Sequence, residues 1–173
     1  MTTIFAILFF AAAVLARLLP HVPNFVPMAA LALWSGWYLP KRVGFALPIA
    51  AMLISDAVIG FYDVRLMAVV YGSFALIVAL GWFLKRERSV TDVLFGSLAG
   101  SVFFFLATNF AVWAFSSWYP HTAGGLLETY LAGIPFFRNT LMGDLVYNAI
   151  FFGAYAFAFA VARRRQPALA KSI

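Results

Sequence analysis

The sequence predicts an all-α integral membrane protein built as a bundle of six transmembrane helices. Only 10% of its residues are charged and 65% are hydrophobic, whereas soluble domains carry about 25% charged residues. Long apolar runs alternate with short basic clusters, which is the pattern of helices that cross a bilayer and end at its surfaces. At 173 residues the chain is long enough for one transmembrane domain, residues 1–173, and too short for two.

Six apolar runs define the predicted transmembrane helices. They cover residues of about 2–19, 24–39, 43–61, 66–84, 92–116 and 139–162. These runs are close to the roughly 20 apolar residues that a helix needs to cross about 30 Å of hydrocarbon. Turns that contain charged residues, proline or glycine separate the runs, and such residues favour helix ends.

The connection between the fifth and sixth spans is unusually apolar. Residues 93–127 carry no charge and are too many for one helix across the bilayer, so we expect a break at Pro120 and at Gly124-Gly125. Beyond this break, apolar residues recur at helical spacing at Leu126, Leu127, Tyr130, Leu131 and Ile134. The spacing predicts a short amphipathic helix that lies along the membrane surface. Residues 120–137 are then the predicted lid of any pocket beneath them.

The basic residues are distributed unevenly between the two ends of the predicted bundle. Only Arg17, Arg65 and Arg138 lie at one end, and the other nine of the 12 Lys and Arg residues lie at the end that carries both termini. Because cytoplasmic loops are enriched in Lys and Arg, we expect both termini in the cytoplasm and the protein in a bacterial inner membrane. The basic clusters are short and separated by apolar runs, so they do not predict a nucleic-acid partner.

Composition argues against several kinds of catalytic and metal site. The chain has no cysteine and two histidines, which removes disulfides and thiol catalysis and leaves little material for a metal centre. It contains no His-Glu-x-x-His and no Walker sequence. We therefore predict no enzyme activity, no cofactor and no metal, and any ATP hydrolysis must come from another chain.

Residues 134–148, IPFFRNTLMGDLVYN, carry many polar side chains between apolar flanks. At helical spacing, Asp144, Tyr147 and Asn148 fall on one face. An aspartate at the centre of a membrane costs roughly 2.5–3.5 kcal/mol on insertion scales. Asp144 is therefore expected to face protein or a water-filled cavity.

Other polar residues of the predicted spans reach the same depth in the membrane. With the termini inside, Asp56 and Asn109 come late in outward-going helices and Asp144 comes early in an inward-going one, so all three lie in the outer half. The predicted ligand-binding residues are Asn24, Asp56, Asn109, Trp113, Arg138, Asp144, Tyr147 and Asn148. Their common depth predicts a pocket that opens to the outside. The alternative is that the two aspartates pair with Arg17 and Arg138 and only hold the helices together.

Several motifs resemble those of a known group of proteins. The motifs are Pro23-Asn24-Phe25, Leu53-Ile54-Ser55-Asp56, Thr108-Asn109-Phe110 and Ile134-Pro135-Phe136-Phe137-Arg138-Asn139-Thr140 with Gly143-Asp144. They resemble an uncharacterised family of small six-helix bacterial membrane proteins, which is similar to the S components, the substrate-binding subunits, of energy-coupling factor (ECF) vitamin transporters. The resemblance implies a high-affinity pocket near the outer surface, with a T subunit and two ATPase subunits as partners.

The function expected from these observations is a substrate-binding membrane subunit for uptake of a small solute, such as a vitamin or cofactor precursor. Two alternatives stay open. One is a solitary proton-coupled transporter that uses Asp56 and Asp144. The other is a structural or assembly protein whose polar cluster only holds the helices together and binds no ligand.

Single cysteines at Ser89 and Ser117 test the topology, because the chain has no other cysteine. We expect a membrane-impermeant maleimide to label position 117 from outside intact cells, and to label position 89 only when the cytoplasmic side is exposed. Labelling of both positions from the same side would contradict the arrangement of six spans.

Overall fold

The structure, a computed structural model, describes residues 1–84 and 89–169, with side chains as far as Arg164. Its helices are α1 (Thr2–Leu18), α2 (Met28–Tyr38), α3 (Lys41–Ile59), α4 (Val64–Leu84), α5 (Val90–Phe115) and α6 (Ala123–Leu169). The basic loop of residues 85–88 and the last part of the basic tail, which contribute to the topology prediction, lie outside the described residues.

Four helices are long and apolar enough to cross a membrane: α3, α4, α5 and the part Ala123–Arg164 of α6. Helix α1 is a shorter apolar helix of 17 residues. Large apolar side chains cover the bundle surface, and Val64, Phe83 and Phe157 are 73–78% exposed. Apolar exposure on this scale suits contact with lipid. The prediction of an all-α membrane protein with six helices is thus confirmed for the described residues.

Helix α2 lies at the centre of the bundle and packs against each of the five other helices. All of its residues from Met28 to Trp37 are buried, and its 11 residues rise only about 16 Å, roughly half the thickness of the hydrocarbon. The predicted span 24–39 is therefore corrected: α2 alone is too short to cross, and the non-helical residues 19–27 precede it. A helix that is apolar on all sides is buried, but hydropathy does not distinguish burial in protein from burial in lipid.

Two glycines let α2 and α4 approach at backbone distance. A Cβ on Gly36 would overlap the carbonyl oxygen of Val78, and a Cβ on Gly81 would overlap that of Leu33. Because the obstacle in each case is backbone, only glycine permits this crossing. The close contact places the central helix directly against α4.

The segment after the fifth span continues into the last span as one helix, α6. The expected break between a surface helix and a sixth span is therefore wrong. The first part of α6 packs along the end of α5: the Tyr130 hydroxyl donates to the carbonyl of Leu106 at 3.0 Å, and Gly133 lies against Asn109 and Phe105. Residues 123–138 extend the last span and do not form a separate helix.

The apolar residues at positions 126–134 predicted a helix along the membrane surface, and there is a physical reason why this prediction fails. Leu127, Leu131 and Ile134 are 52–59% exposed, whereas Thr129 and Gly133, between them on the helix, are buried. In a membrane, small and polar residues let helices approach and hydrogen-bond, while apolar residues face lipid. Leu127, Leu131 and Ile134 therefore mark the outer face of a packed helix, while Tyr130 packs towards α5.

Replacing Gly36 or Gly81 with alanine should destabilise the protein, because the added methyl group meets backbone that cannot rotate away. Overpacking of this kind costs roughly 1–3 kcal/mol. Gly72→Ala, also on α4, is the matched control, since nothing lies within 4 Å of its Cβ position and alanine favours a helix over glycine. Thermal unfolding in mild detergent should rank both variants below Gly72→Ala. Three equal melting temperatures would contradict the close crossing.

Candidate functional site

Three cavities at one end of the bundle share Asn24 and Phe104, and we call them together the cleft. The aromatic lobe has a volume of about 370 Å³ and lies between α5, α6 and residues 118–119. The basic lobe has about 680 Å³ and is lined in part by Arg17. The deep lobe has about 60 Å³ and is lined in part by Asp144.

The cleft lies at the end of the bundle that holds the connections 19–27, 60–63 and 116–122. Next to two of these connections, Arg65 near the start of α4 donates from Nη2 to the carbonyl of Phe115 at the end of α5 at 3.1 Å. This is the end at which the sequence predicted a pocket. The structure therefore also gathers polar residues at this end of the bundle, although not all of the predicted residues are among them.

Asn24 lies where the three lobes meet, because the connection before α2 inserts between the helices. Its φ of 62° lies in the left-handed region, which asparagine adopts more readily than most residues. The ring of Phe25 packs on that of Tyr147 with 5.5 Å between the centroids. Asn139 donates from Nδ2 to the carbonyl of Pro23 at 3.0 Å. These two contacts with α6 hold Asn24 at the junction.

The aromatic lobe combines ring faces with neutral polar groups. Its aromatic lining residues are Phe104, Phe105, Trp118, Tyr119, Phe136 and Phe137, and its polar ones are Asn24, Thr108, Asn109, Thr129 and Thr140. The amide of Asn109 donates from Nδ2 to the carbonyl of Phe105 at 2.8 Å, so its Oδ1 is the atom left to accept a hydrogen bond. The predicted role of Asn109 in lining a pocket fits this geometry.

Asp144 lies at the bottom of the cleft and is only 3% exposed. The Ser101 hydroxyl lies 2.6 Å from Oδ2 of Asp144 and 2.8 Å from the carbonyl oxygen of Ser97. Within the described residues, no cation pairs with Asp144. The buried carboxyl group therefore depends on one hydroxyl and on whatever enters the deep lobe.

Asp56 has a different environment, that of an ion pair inside the bundle. It is 1% exposed, and Arg17 donates to its Oδ1 at 2.6 Å, while the Tyr71 hydroxyl donates to its Oδ2 at 2.7 Å. Arg17 also contacts the sulfur of Met52. The network joins α1, α3 and α4, and Asp56 does not line the cleft. For this aspartate the structure has the ion pair with Arg17 that the sequence left open, and its contact with a ligand stays a prediction.

The basic lobe carries less charge than its basic residues suggest, because Asp56 neutralises Arg17. Burial, and to a smaller extent the neighbouring Asp56 carboxylate, raises the pKa of Tyr62 to about 12. This side chain is therefore a neutral phenol at neutral pH. Tyr62 and His21 line the same lobe. They offer it a hydroxyl group and an imidazole ring.

Three further predicted site residues lie outside the cleft. Trp113 donates from Nε1 to the carbonyl of Pro120 at 3.1 Å, which secures the connection between α5 and α6. Arg138 is exposed and forms no ion pair with any residue that the structure describes. Tyr147 packs on Phe25 and supports the cleft from behind. None of the three lines the cleft, and their contact with a ligand stays a prediction.

Asn148 lies in a separate cavity of about 290 Å³, which Trp37 and Ser97 also line. Its Nδ2 donates to the Ser97 hydroxyl at 2.8 Å, and its buried Oδ1 has no hydrogen-bond partner among the described residues. It is one helical turn from Asp144, and this turn is enough to move it out of the cleft. Asn148 therefore does not line the cleft, and its role in binding a ligand stays a prediction.

Sequence reasoning missed Phe104, which lines all three lobes, and Ser101, which hydrogen-bonds to Asp144. Phe104 belongs to an uninterrupted apolar run and looks like a lipid-facing residue. Ser101 gave a weak signal, since Gly96, Ser97, Gly100 and Ser101 place small residues on one face of α5, as expected of a helix contact. The sequence does not show that this face meets Asp144, because that contact depends on how α5 and α6 are aligned.

Asp56→Asn should destabilise the protein, because it leaves Arg17, whose side chain is 16% exposed, without a counter-charge. Removing one partner of a buried ion pair costs about 3–5 kcal/mol. The double variant with Arg17→Met and Asp56→Leu should recover part of the loss, since no charge is left unpaired. Asp63→Asn is the control, because its pair with Arg65 is exposed and such pairs contribute little. Equal thermal unfolding of Asp56→Asn and Asp63→Asn would show that the buried pair does not stabilise the bundle.

Comparison with known proteins assigns the chain to a family. No curated protein and no solved structure matches it. Residues 1–169, nearly the whole length, match a group described as Family of unknown function (DUF6580). The expectation that the chain has relatives in an uncharacterised family is thereby confirmed. The chain belongs to the Family of unknown function (DUF6580).

Proposed function

We propose that the protein is the substrate-binding membrane subunit of an uptake system for a small solute, such as a vitamin or cofactor precursor. The observation that carries this proposal is the convergence of three lobes on Asn24, with Asp144 at the bottom of the deepest one. The charge distribution supports a bacterial inner membrane as the location, with both termini in the cytoplasm and the cleft open to the outside.

The size and the lining of the cleft suit a small molecule. The aromatic and basic lobes have about 370 and 680 Å³, and small-molecule pockets commonly have about 300–1,000 Å³. Such pockets are mostly apolar, with a few polar groups that orient the ligand. Asn24 and Asn109 are groups of this kind in the aromatic lobe.

The burial of α2 beyond the cleft favours a binding subunit over a channel. Along α2, the residues Leu31, Ala32, Leu33 and Trp34 are 0–1% exposed. This stretch of helix offers a bound solute no exposed surface among the described residues, so transfer past it needs a change of conformation. The resemblance to ECF S components supplies the partners for such a change: a T subunit and two ATPase subunits.

A solitary proton-coupled transporter is a second candidate, favoured by the hydrogen bonds of Asp144. The Ser101 hydroxyl is within hydrogen-bonding distance of both Asp144 and the Ser97 carbonyl, but a hydroxyl has only one hydrogen. When Ser101 donates to Ser97, only a protonated Asp144 completes the second bond. Asp144 thus has two hydrogen-bonded states that differ by one proton. Asp56 is paired with Arg17 and does not share this property.

Mass spectrometry of small molecules retained by protein purified in mild detergent tests binding in the cleft. Ala132 lines the aromatic lobe, so Ala132→Trp places a large ring there and should abolish retention of the molecule that the wild type keeps. Leu131→Trp is the matched control, because Leu131 is 56% exposed and does not line the cleft. This control should retain the molecule. Equal retention by both variants, or no retained molecule in the wild type, would contradict the proposal.

The source of energy separates the two candidates. Copurification with a T subunit and two ATPase subunits, together with ATP-dependent uptake, supports the binding subunit. Uptake by the protein alone, driven by a proton gradient without ATP, supports the proton-coupled transporter.

A further inference from the structure

We propose that the ligand of the cleft is a small aromatic cation, with its protonated nitrogen against Asp144 in the deep lobe and its ring in the aromatic lobe. This inference rests on the proposed function and adds the chemical class of the ligand. Four features of the cleft carry it: an unpaired carboxyl group, the space next to it, the aromatic walls and the lone pairs of three threonine hydroxyls.

The carboxyl group of Asp144 has no counter-ion among the described residues. Of the two arginines that the sequence offered as partners, Arg17 is paired with Asp56 and Arg138 is exposed. The Ser101 hydroxyl at 2.6 Å is a neutral donor. Taking a carboxylate out of water costs more than one neutral hydrogen bond returns. A cation in the deep lobe would supply the missing charge.

The deep lobe provides the space for such a group. Its volume of about 60 Å³ exceeds the roughly 10–15 Å³ that one water molecule requires, so an ammonium group fits beside Asp144. The deep and aromatic lobes share Asn24, Phe104 and Thr140. One molecule can therefore reach Asp144 with its nitrogen and keep its ring in the larger lobe.

The walls of the aromatic lobe favour an aromatic ring that has a positive charge close to it. The rings of Phe105 and Phe137 lie 4.8 Å apart between centroids, and Phe104 and Phe136 also line the lobe. The face of an aromatic ring attracts a cation within about 6 Å, and its π-system favours stacking with another ring. No charged residue is among those that line the described aromatic lobe. An anionic ligand would meet the Asp144 carboxylate without compensation.

Three threonine hydroxyls of the aromatic lobe present lone pairs to a ligand. The hydroxyls of Thr108, Thr129 and Thr140 donate to carbonyls of their own helices at 2.7–3.0 Å. The amide of Asn109 uses one of its two N–H groups within α5. Protonated nitrogen and ring N–H groups are donors without lone pairs. A cationic, nitrogen-bearing ligand therefore matches the lone pairs of the three hydroxyls.

Three probes of one skeleton test the charge of the ligand: phenethylamine, phenethyl alcohol and phenylacetate. Their binding to the full chain in lipid nanodiscs is measured by calorimetry. We expect phenethylamine to bind at least about tenfold more tightly than the alcohol, since charge-assisted hydrogen bonds are about twice as strong as neutral ones. Phenylacetate should bind most weakly. Asp144→Asn should remove the preference for the amine.

Two variants make this result specific to the deep lobe. Asp92→Asn removes the same charge at the N-terminal cap of α5, far from the cleft along that helix, and should keep the preference. Ala29→Leu fills the deep lobe, which Ala29 lines, without changing any charge. The variant Ala29→Leu should lose the preference for the amine. If Asp144→Asn does not fold, Ala29→Leu takes its place in the test.

The outcomes separate this inference from the proposed function. Tightest binding of phenethyl alcohol or phenylacetate would overturn the cationic class while leaving the cleft as a ligand site. An unchanged preference in Asp144→Asn or in Ala29→Leu would also overturn it. Absence of binding by all three probes, together with equal retention of small molecules by wild type and Ala132→Trp, would overturn both the inference and the proposed function.

Discussion

The burial of α2 is the constraint on which the rest of the structure depends. Its 11 residues are too few to cross the hydrocarbon. The connection before it is exposed at residues 19–24 and becomes half-buried or buried at residues 25–27. Contacts with α6 at Pro23 and Phe25 hold this connection against the bundle. The longer helices around α2 extend past its beginning and leave space there, and this space is the cleft.

Asp56 and Asp144 show how one residue type acquires two roles from its surroundings. Asp56 receives hydrogen bonds from Arg17 and Tyr71, so its charge is balanced within the bundle. Asp144 has Ser101 as its described partner and lines a cavity. A balanced charge holds helices together, whereas an unbalanced one favours whatever brings the opposite charge. The unpaired aspartate is therefore the better guide to function.

Only some of the predicted site residues line the cleft, although all of them were placed in the outer half of the bundle. Depth follows from counting residues along each span, so the sequence placed Asn24, Asn109 and Asp144 at one end of the bundle. The direction of a side chain around its helix depends on which neighbours pack there. That is why Arg138 is exposed, and why Asn148 lies in another cavity, although both occur in the same polar stretch.

Composition, apolar run length and helical spacing by themselves determined that this chain is an all-α membrane protein with six helices and a cluster of polar residues at one end. These properties depend on how each residue partitions between water and hydrocarbon, which is local. Only the tertiary structure decided that α2 is enclosed by protein, that residues 123–138 extend α6, and that Arg17 pairs with Asp56. Lipid and protein interior are equally apolar, so the sequence pattern does not distinguish them, and the pairing of distant side chains depends on helix packing.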